Sequence, residues 1–402
     1  MSKKVAIMGY GTIGSGVAEV LEKNHEIIAR HAGEEIECKY ILDIRDFPGD
    51  VNESKLVKDV DIIANDPEVS IVVETMGGVE PAYTFVKKML LAGKSVTTSN
   101  KALVAEKGAE LIHIAEEREL NFQFEASVGG GIPIIRSLNK CLTADVIEEI
   151  SGILNGTTNY MLTKMRDEKS TYEAVLKEAQ SLGYAEKDPT ADVEGHDACR
   201  KIAILTSLIS ERQVDFRKIQ TEGITTITPA DIAYAKKLNR RIKLVASSVR
   251  RPDQTFDILV APFLLAEGNP LYTVDGVFNA VFVHGNMLGD AMFFGSGAGK
   301  LPTASAVVAD VVDMAKHPHR NIPVHWEEEE LSIPDYLEKA YRFYVRTKNK
   351  QEEIKSAFGE LDFIDPLLED ADGSVFLTKE ISGREFEQRA ADLQLLQRIR
   401  LK

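Results

Sequence analysis

Asp197 and Lys201 lie one helical turn apart, and the four residues that follow them, Ile202-Ala203-Ile204-Leu205, leave no polar face. Such a helix is buried all round, so the carboxylate and ammonium at its head are expected to be partly buried as well. An exposed i,i+4 pair would contribute only about 0.2–0.5 kcal/mol. Burial changes the chemistry, because desolvation or a second cation lowers a lysine from its usual pKa of about 10.4 toward the range where it exchanges protons. Lys101 is that candidate second cation, at a predicted helix start where the macrodipole disfavours positive charge. The loop ahead of Asp197 carries Glu186, Asp188, Asp192 and Glu194. These acids suit a substrate ammonium group and point to an amino-acid-like ligand, with a structural ion-pair network as the alternative. Asn155-Gly156-Thr157-Thr158-Asn159 follows the strand-like Ile150–Leu154 and offers amides and hydroxyls to a small polar ligand, or a helix N-cap.

A second chemistry starts at Gly9-Tyr10-Gly11-Thr12-Ile13-Gly14, a G-x-G-x-x-G directly after an apolar run. The first glycine makes a tight turn, the second lets backbone approach a pyrophosphate, and the third permits close helix packing. Asp43-Ile44-Arg45-Asp46 stands at the end of the next predicted strand. An acid there favours NAD through the ribose hydroxyl and Arg45 favours NADP through a 2′-phosphate, so both cofactors stay open. Three further segments close predicted strands, Met76-Gly77-Gly78, Ser99-Asn100-Lys101 and Glu125-Ala126-Ser127-Val128-Gly129-Gly130-Gly131. Ligands bind outside such strand ends in open α/β sheets, so these segments are expected to converge. Gly295-Ser296-Gly297-Ala298-Gly299-Lys300 fails the phosphate-loop pattern, since Leu301 replaces the required hydroxyl and the spacing is short.

The elements that position these residues read as three units. Strands at about Val5–Met8, Cys38–Asp43, Ser70–Glu74, Ser95–Thr98 and Asn121–Glu125 alternate with helices at Ile13–Lys23, Pro81–Ala92 and Ala102–Glu119. That alternation predicts a Rossmann-type doubly wound α/β domain over residues 1–134, completed by the Ala- and Val-rich helix Thr303–Ala315 within about 300–320. Residues 135–299 mix helices (Thr171–Leu182, Asp197–Ile209) with strands (Lys243–Val249, Thr255–Val260, Asn279–His284), which predicts an α+β domain. Pro323 to Pro334 reads as a linker whose four glutamates, Glu327 to Glu330, are solvated. Residues 335–402 then show a βαββα pattern: strand Arg342–Arg346, helix Gln351–Phe358, strands near Phe363–Leu368 and Ser374–Thr378, and helix Gly383–Leu396.

The 402 residues carry 48 Lys+Arg against 63 Asp+Glu, a net charge of −15 that argues against nucleic acid or an anionic membrane as partner. The three cysteines, Cys38, Cys141 and Cys199, form no metal or disulfide pattern and fit a reducing cytoplasm. No apolar run approaches the roughly 20 residues of a membrane span, and Gly9, Gly11 and Gly14 interrupt any signal-peptide core.

Over about residues 4–318 the chain resembles homoserine dehydrogenases. The resemblance rests on the glycine motif, Thr98-Ser99-Asn100-Lys101-Ala102, Glu125 to Pro133, Asn155 to Tyr160, and the Ala179–Lys201 stretch with Gly183, Asp188-Pro189, Asp192, Gly195, Asp197 and Lys201 in family spacing. It implies reversible, NAD(P)-dependent interconversion of L-aspartate 4-semialdehyde and L-homoserine, on the route to threonine and methionine. It implies that Lys201 donates the proton to the aldehyde oxygen and that Lys101 lies beside nicotinamide and substrate. Glu186, Asp192 and Asp197 would hold the substrate's amino and hydroxyl end, with Gly156, Thr157 and Tyr184 near it. Gly9, Gly11, Thr12, Ile13, Gly14, Arg45, Gly77, Asn100, Lys101, Gly183 and Gly299 would serve the cofactor. The family further implies a structural Na⁺ or K⁺ on Glu125 and the carbonyls of Val128, Gly130 and Ile132, at least a homodimer, and residues 135–299 as the substrate-binding and dimerisation domain. The C-terminal pattern resembles an ACT regulatory domain, although Lys348-Asn349-Lys350-Gln351 replaces the usual acidic-Pro-Gly turn, which implies a weak effector site or a role in oligomer contact. Two alternatives fit the same residues: a different Rossmann oxidoreductase acting on an amino-acid-like substrate, and a non-catalytic dinucleotide sensor.

Overall fold

The computed structural model describes residues 2–367 and 373–402. The chain divides into two compact units, one of residues 1–146, 203–216 and 293–331, the other of residues 147–202, 217–292 and 332–402.

In the first unit, β1 (Lys3–Met8), β2 (Ile36–Leu42), β3 (Leu56–Val57), β4 (Val69–Glu74), β5 (Ser95–Thr98) and β6 (Phe122–Gln123) form one parallel sheet in the order β3-β2-β1-β4-β5-β6. Val5, Ala6, Ile7 and Met8 are fully buried, as a central parallel strand covered on both faces requires. This order places the switch point between β1 and β4, the ligand-binding crevice of a doubly wound sheet. The helix Thr12–Lys23 packs on the helix Lys300–Lys316 so closely that a Cβ on Gly16 would lie 3.1 Å from Ala304 Cβ. The expected return of the Thr303–Ala315 helix to this sheet is therefore observed, and its residues share one apolar core with β1, β2 and β4.

Two expectations are corrected here. The strand expected to run to Glu125 ends at Gln123, and Glu125–Ser127 form a 3₁₀ turn. The Pro323–Pro334 segment is not a free linker. Trp326 is buried edge-on against Phe124 and over Gly108, and Glu327–Glu330 pairs as a short strand with Arg212–Gln213. One large apolar side chain is enough to pin an otherwise acidic segment. The four glutamates themselves are exposed, as expected.

The second unit is built on β7 (Ile147–Ile153), β8 (Arg240–Arg250), β9 (Phe256–Ala266), β10 (Phe278–Gly285), β11 (Gly289–Ser296), β12 (Phe343–Thr347), β13 (Asp362–Ile364), β14 (Ser374–Leu377) and β15 (Leu395–Leu401). They form one sheet in the order β11-β10-β7-β8-β9-β15-β12-β14-β13, with Gln220–Thr221 pairing β9. Helices Gly156–Glu168, Tyr172–Ser181 and Pro229–Lys237 belong to this unit.

The C-terminal pattern also differs from expectation. The helix expected over Gly383–Leu396 stops at Ala390, and Leu395–Leu401 is a strand, so the order is βαββαβ. Tertiary pairing overrides the local helical pattern there: β15 is hydrogen-bonded antiparallel to β12 and parallel to β9. The strand expected near Phe363–Leu368 is Asp362–Ile364, and Leu368 lies outside the described residues.

Candidate active site

The candidate nucleotide-binding residues other than Gly183 lie in the first unit. Gly9 ends β1 at φ +95°, a conformation that favours glycine, and a Cβ on Gly14 would stand 1.9 Å from Gly9 O. A side chain on Gly14 is thus excluded by the turn itself. Gly11 caps the helix Thr12–Lys23 without any side-chain hydrogen bond to its first amides, and a Cβ built on Gly11 meets only Arg45 Nη2, 3.9 Å away. The open space above Gly11 and the uncapped amides at Thr12, Ile13 and Gly14 form a cradle for an anion. The residues present therefore fit a dinucleotide.

Just after β2, Asp43 is buried and its carboxylate accepts from Tyr10 N at 2.7 Å and Arg45 N, Nε and Nη2 at 2.9, 3.0 and 2.9 Å. The Arg45 guanidinium holds this carboxyl well below its ordinary range. Arg45 itself is 57% exposed. After β4 and β5, Gly77 and Gly78 both take positive φ, and Asn100 Nδ2 donates to Gly78 O at 2.5 Å while Asn100 Oδ1 caps Leu103 N. Lys101 is the half-buried first residue of the helix Lys101–Glu117.

Sequence reasoning passed over Glu74, the last residue of β4. It is fully buried, accepting from Met76 N at 2.6 Å and Thr98 Oγ1 at 2.5 Å, and burial pushes its carboxyl up. An acid closing an apolar strand was the available signal. Gly299, at φ +113°, is the residue from which the helix Lys300–Lys316 starts.

Glu125 is buried and accepts from the amides of Ile135 and Arg136 at 2.9 and 2.7 Å. Burial, then the Asp310 carboxylate, pushes its carboxyl up to about 7. Asp310 was not foreseen: it accepts from Glu125 N and Thr97 Oγ1 and pairs with Arg136. A Cβ on Gly130, at φ +57°, would lie 2.5 Å from Gly297, so Val128–Ile132 is a glycine-dependent turn.

The candidate substrate-binding residues Asp192, Asp197 and Lys201 lie in the second unit. Asp197 and Lys201 are 4% and 7% exposed, and Lys201 Nζ lies 2.8 Å from Asp197 Oδ2 and donates to Leu154 O at 2.7 Å. The ammonium is thus held at the end of β7 as well as by its own helix. Asn155 ties Asp192, Asp197 and the start of the helix Gly156–Glu168 together. Its Oδ1 caps Thr158 N at 2.9 Å, and its Nδ2 donates to Asp192 Oδ1 at 2.8 Å and Asp197 Oδ2 at 2.9 Å. The N-cap reading of Asn155 is thus observed, with its amide nitrogen turned to the two acids. A Cβ on Gly156 would lie 2.7 Å from Val277 O. Thr157 Oγ1 donates to Tyr184 O at 2.7 Å, and the Tyr184 ring, 45% exposed, meets the Tyr160 ring edge-on at 5.0 Å. Glu186 is exposed and its carbonyl accepts from Gln180 Nε2. Gly183 takes φ +75° in the turn after the helix Tyr172–Ser181. As expected, Ile202 to Leu205 are buried to 1% exposure or less.

Comparison with known proteins decides the family. Residues 9–125 match the model of the homoserine dehydrogenase NAD-binding domain and residues 133–312 that of homoserine dehydrogenase. A homoserine dehydrogenase of Pseudomonas aeruginosa is 42% identical over 357 residues, covering 86% of this chain and 82% of its own. The chain belongs to the homoserine dehydrogenase family. It is accordingly an NAD(P)-dependent oxidoreductase. The crystal structure of a homoserine dehydrogenase from Thiobacillus denitrificans superimposes with a TM-score of 0.91 at 35% identity, covering 100% of this chain and 98% of that one. A hyperthermophilic archaeal homoserine dehydrogenase in complex with NADPH matches with a TM-score of 0.65 at 30% identity, over 78% and 98% of the two chains. Among the described residues, no helix is long and apolar enough to cross a membrane.

Proposed function

We propose that in this homoserine dehydrogenase Lys201 is the proton donor to the aldehyde oxygen of L-aspartate 4-semialdehyde, and takes that proton back in the reverse direction. The observation that carries this reading is the buried Asp197–Lys201 pair, fixed from outside its helix by Leu154 O and Asn155. The bound nicotinamide supplies the hydride. Asp192, Asp197 and Glu186 bind the amino and hydroxyl end of the substrate, with Gly156, Thr157 and Tyr184 shaping its surroundings. Lys101 serves both nicotinamide and substrate, and Asn100 and Glu74 hold the loop at Gly77 in place. Gly183 and Gly299 complete the cofactor contacts. Orientation of this kind contributes several kcal/mol to the barrier reduction. Lys201→Ala is expected to lower kcat by about two to four orders of magnitude while cofactor affinity stays within about twofold. Near-normal turnover in that variant would overturn the assignment.

NADP is the preferred cofactor on this reading. Asp43 is already engaged by Arg45 and Tyr10 N, while the exposed Arg45 guanidinium stands beside Gly11. A cation rather than a free carboxylate is therefore presented to the adenosine ribose. Initial rates with NADPH and NADH, in wild type and Arg45→Gln, test this, and a preference for NADH in the wild type would sink it.

Glu125 and the carbonyls of Val128, Gly130 and Ile132 would hold a monovalent cation, Na⁺ or K⁺. Two buried carboxylates, Glu125 and Asp310, face the single guanidinium of Arg136, and a cation would offset the remaining charge. The expected result is a higher thermal midpoint in sodium or potassium chloride than in N-methylglucamine chloride of equal strength. We further assign residues 335–402 as an ACT-like regulatory domain and the working enzyme as a cytoplasmic homodimer. Asn349 fills the turn after β12 with its own side chain, which accepts from Gln394 N at 2.6 Å and supports weak effector binding there. The same rates measured with and without threonine test that point.

A further inference from the structure

A cavity of about 370 Å³ opens in the second unit, where the last turns of the helices Gly156–Glu168 and Pro229–Lys237 meet the start of β8. Arg166, Lys236, Arg240, Arg241 and Lys243 line it, against a single lining acid, Asp167. One further acid, Asp275, is shared by three of these cations, at 2.8 Å from Arg166, 2.8 Å from Arg241 and 2.7 Å from Lys243. Asp167 pairs with Arg166, and Arg240 donates to the main-chain oxygens of Leu264 and of the last residue, Lys402. Among these side chains alone, five cations less two carboxylates leave an excess of three positive charges. The two helix C-termini offset about half a charge each, so the larger part remains.

The excess is felt inside the unit. Lys243 is 1% exposed, and its ammonium is pushed down to about 8, first by burial and further by Arg166 and Arg241, against the pull of Asp275. The Arg241 guanidinium lies over the Tyr272 ring, 4.3 Å from its centroid, which holds the fork in one plane. Positive charge gathered around a partly enclosed space is costly without a counter-ion, and planar guanidinium forks match the oxygens of phosphate or carboxylate. The volume is that of a small-molecule pocket, and none of the lining residues is among those assigned to cofactor, substrate or cation.

We infer that this cavity binds a small multivalent oxyanion, carrying either a phosphate or two carboxylates. The test is calorimetric titration of the full chain with inorganic phosphate and, separately, with succinate. Ionic strength is held constant with chloride, and the oxidised dinucleotide is present in excess so that the Gly9–Gly14 loop is filled. Saturable binding of one anion per chain is expected for at least one of the two, and which one binds names the source. Lys236→Gln removes an exposed charge without disturbing the interior and is expected to weaken that binding about threefold, and Arg241→Gln about tenfold or more. No saturable heat with either anion, or affinities unchanged in Lys236→Gln, would overturn the inference, so the decision stands even where Arg241→Gln fails to fold.

Discussion

Asn155 donates through one amide nitrogen to both Asp192 and Asp197, while its amide oxygen caps the helix that begins at Gly156. One side chain therefore ties helix geometry to the carboxylate that pairs with Lys201. Asn155→Ala removes both functions, and thermal unfolding is expected to show a loss of about 1–2 kcal/mol together with a fall in kcat/KM. Asn155→Asp restores the cap but sets a third carboxylate against Asp192 and Asp197. Its stability should recover toward wild type more fully than its activity. Equal recovery of both would show that Asn155 acts only as a cap.

Gly14→Ala is expected to abolish dinucleotide binding, read by quenching of the reduced cofactor's fluorescence. The new Cβ would have to occupy space 1.9 Å from Gly9 O, so the turn must open. By contrast, a Cβ on Gly33, at a helix C-cap with φ +83°, meets nothing within 4 Å. Gly33→Ala should cost about 1 kcal/mol of stability and leave cofactor affinity unchanged.

Arg346 on β12 reaches across to Asp231 on the helix Pro229–Lys237, with Nε 3.0 Å from Oδ1, and Tyr344 OH donates to the same oxygen at 3.2 Å. Both partners of the ion pair are buried. Asp231→Ala should destabilise by about 3–5 kcal/mol, because it removes the acidic member of a buried ion pair. The double variant Asp231→Leu/Arg346→Met should be more stable than Asp231→Ala alone. Urea unfolding of the three proteins measures this, and a double variant weaker than the single would contradict it.

Asp275 supplies a pH test. Burial alone would raise its carboxyl, but the hydrogen bonds from Arg166 and Lys243 outweigh it and hold the group at about 2, against an ordinary 3.8. A depressed carboxyl contributes stability that is full above 3.8 and is lost as pH falls toward 2. The stability gap between wild type and Asp275→Asn should therefore be widest near neutrality and narrow below about pH 4. A gap independent of pH in urea titrations from pH 7 to 3 would remove Asp275 from this role.

Local order carried the parts of this protein that could be read early. Val5 to Met8 followed by Gly9, Gly11 and Gly14 specify a buried strand, a turn and a helix within a dozen residues, so the dinucleotide cradle was visible in the letters. The Asp197–Lys201 spacing and the apolar run behind it announced a buried pair for the same reason. The partners of that pair were not legible. Leu154 O and Asn155 lie more than forty positions away in sequence, and Asp310, 185 residues from Glu125, shapes the latter's charge.

Period, spacing and short motifs therefore determined the class of fold, the family resemblance and the buried Asp197–Lys201 pair, because each is written within one strand or one helical turn. Tertiary structure alone decided that Leu395–Leu401 is a strand, that Trp326 anchors an acidic segment and that Asp310 lies against Glu125. Those outcomes follow from burial and from edge pairing between distant segments, where the free energy of one long-range contact exceeds the local preference written in the chain.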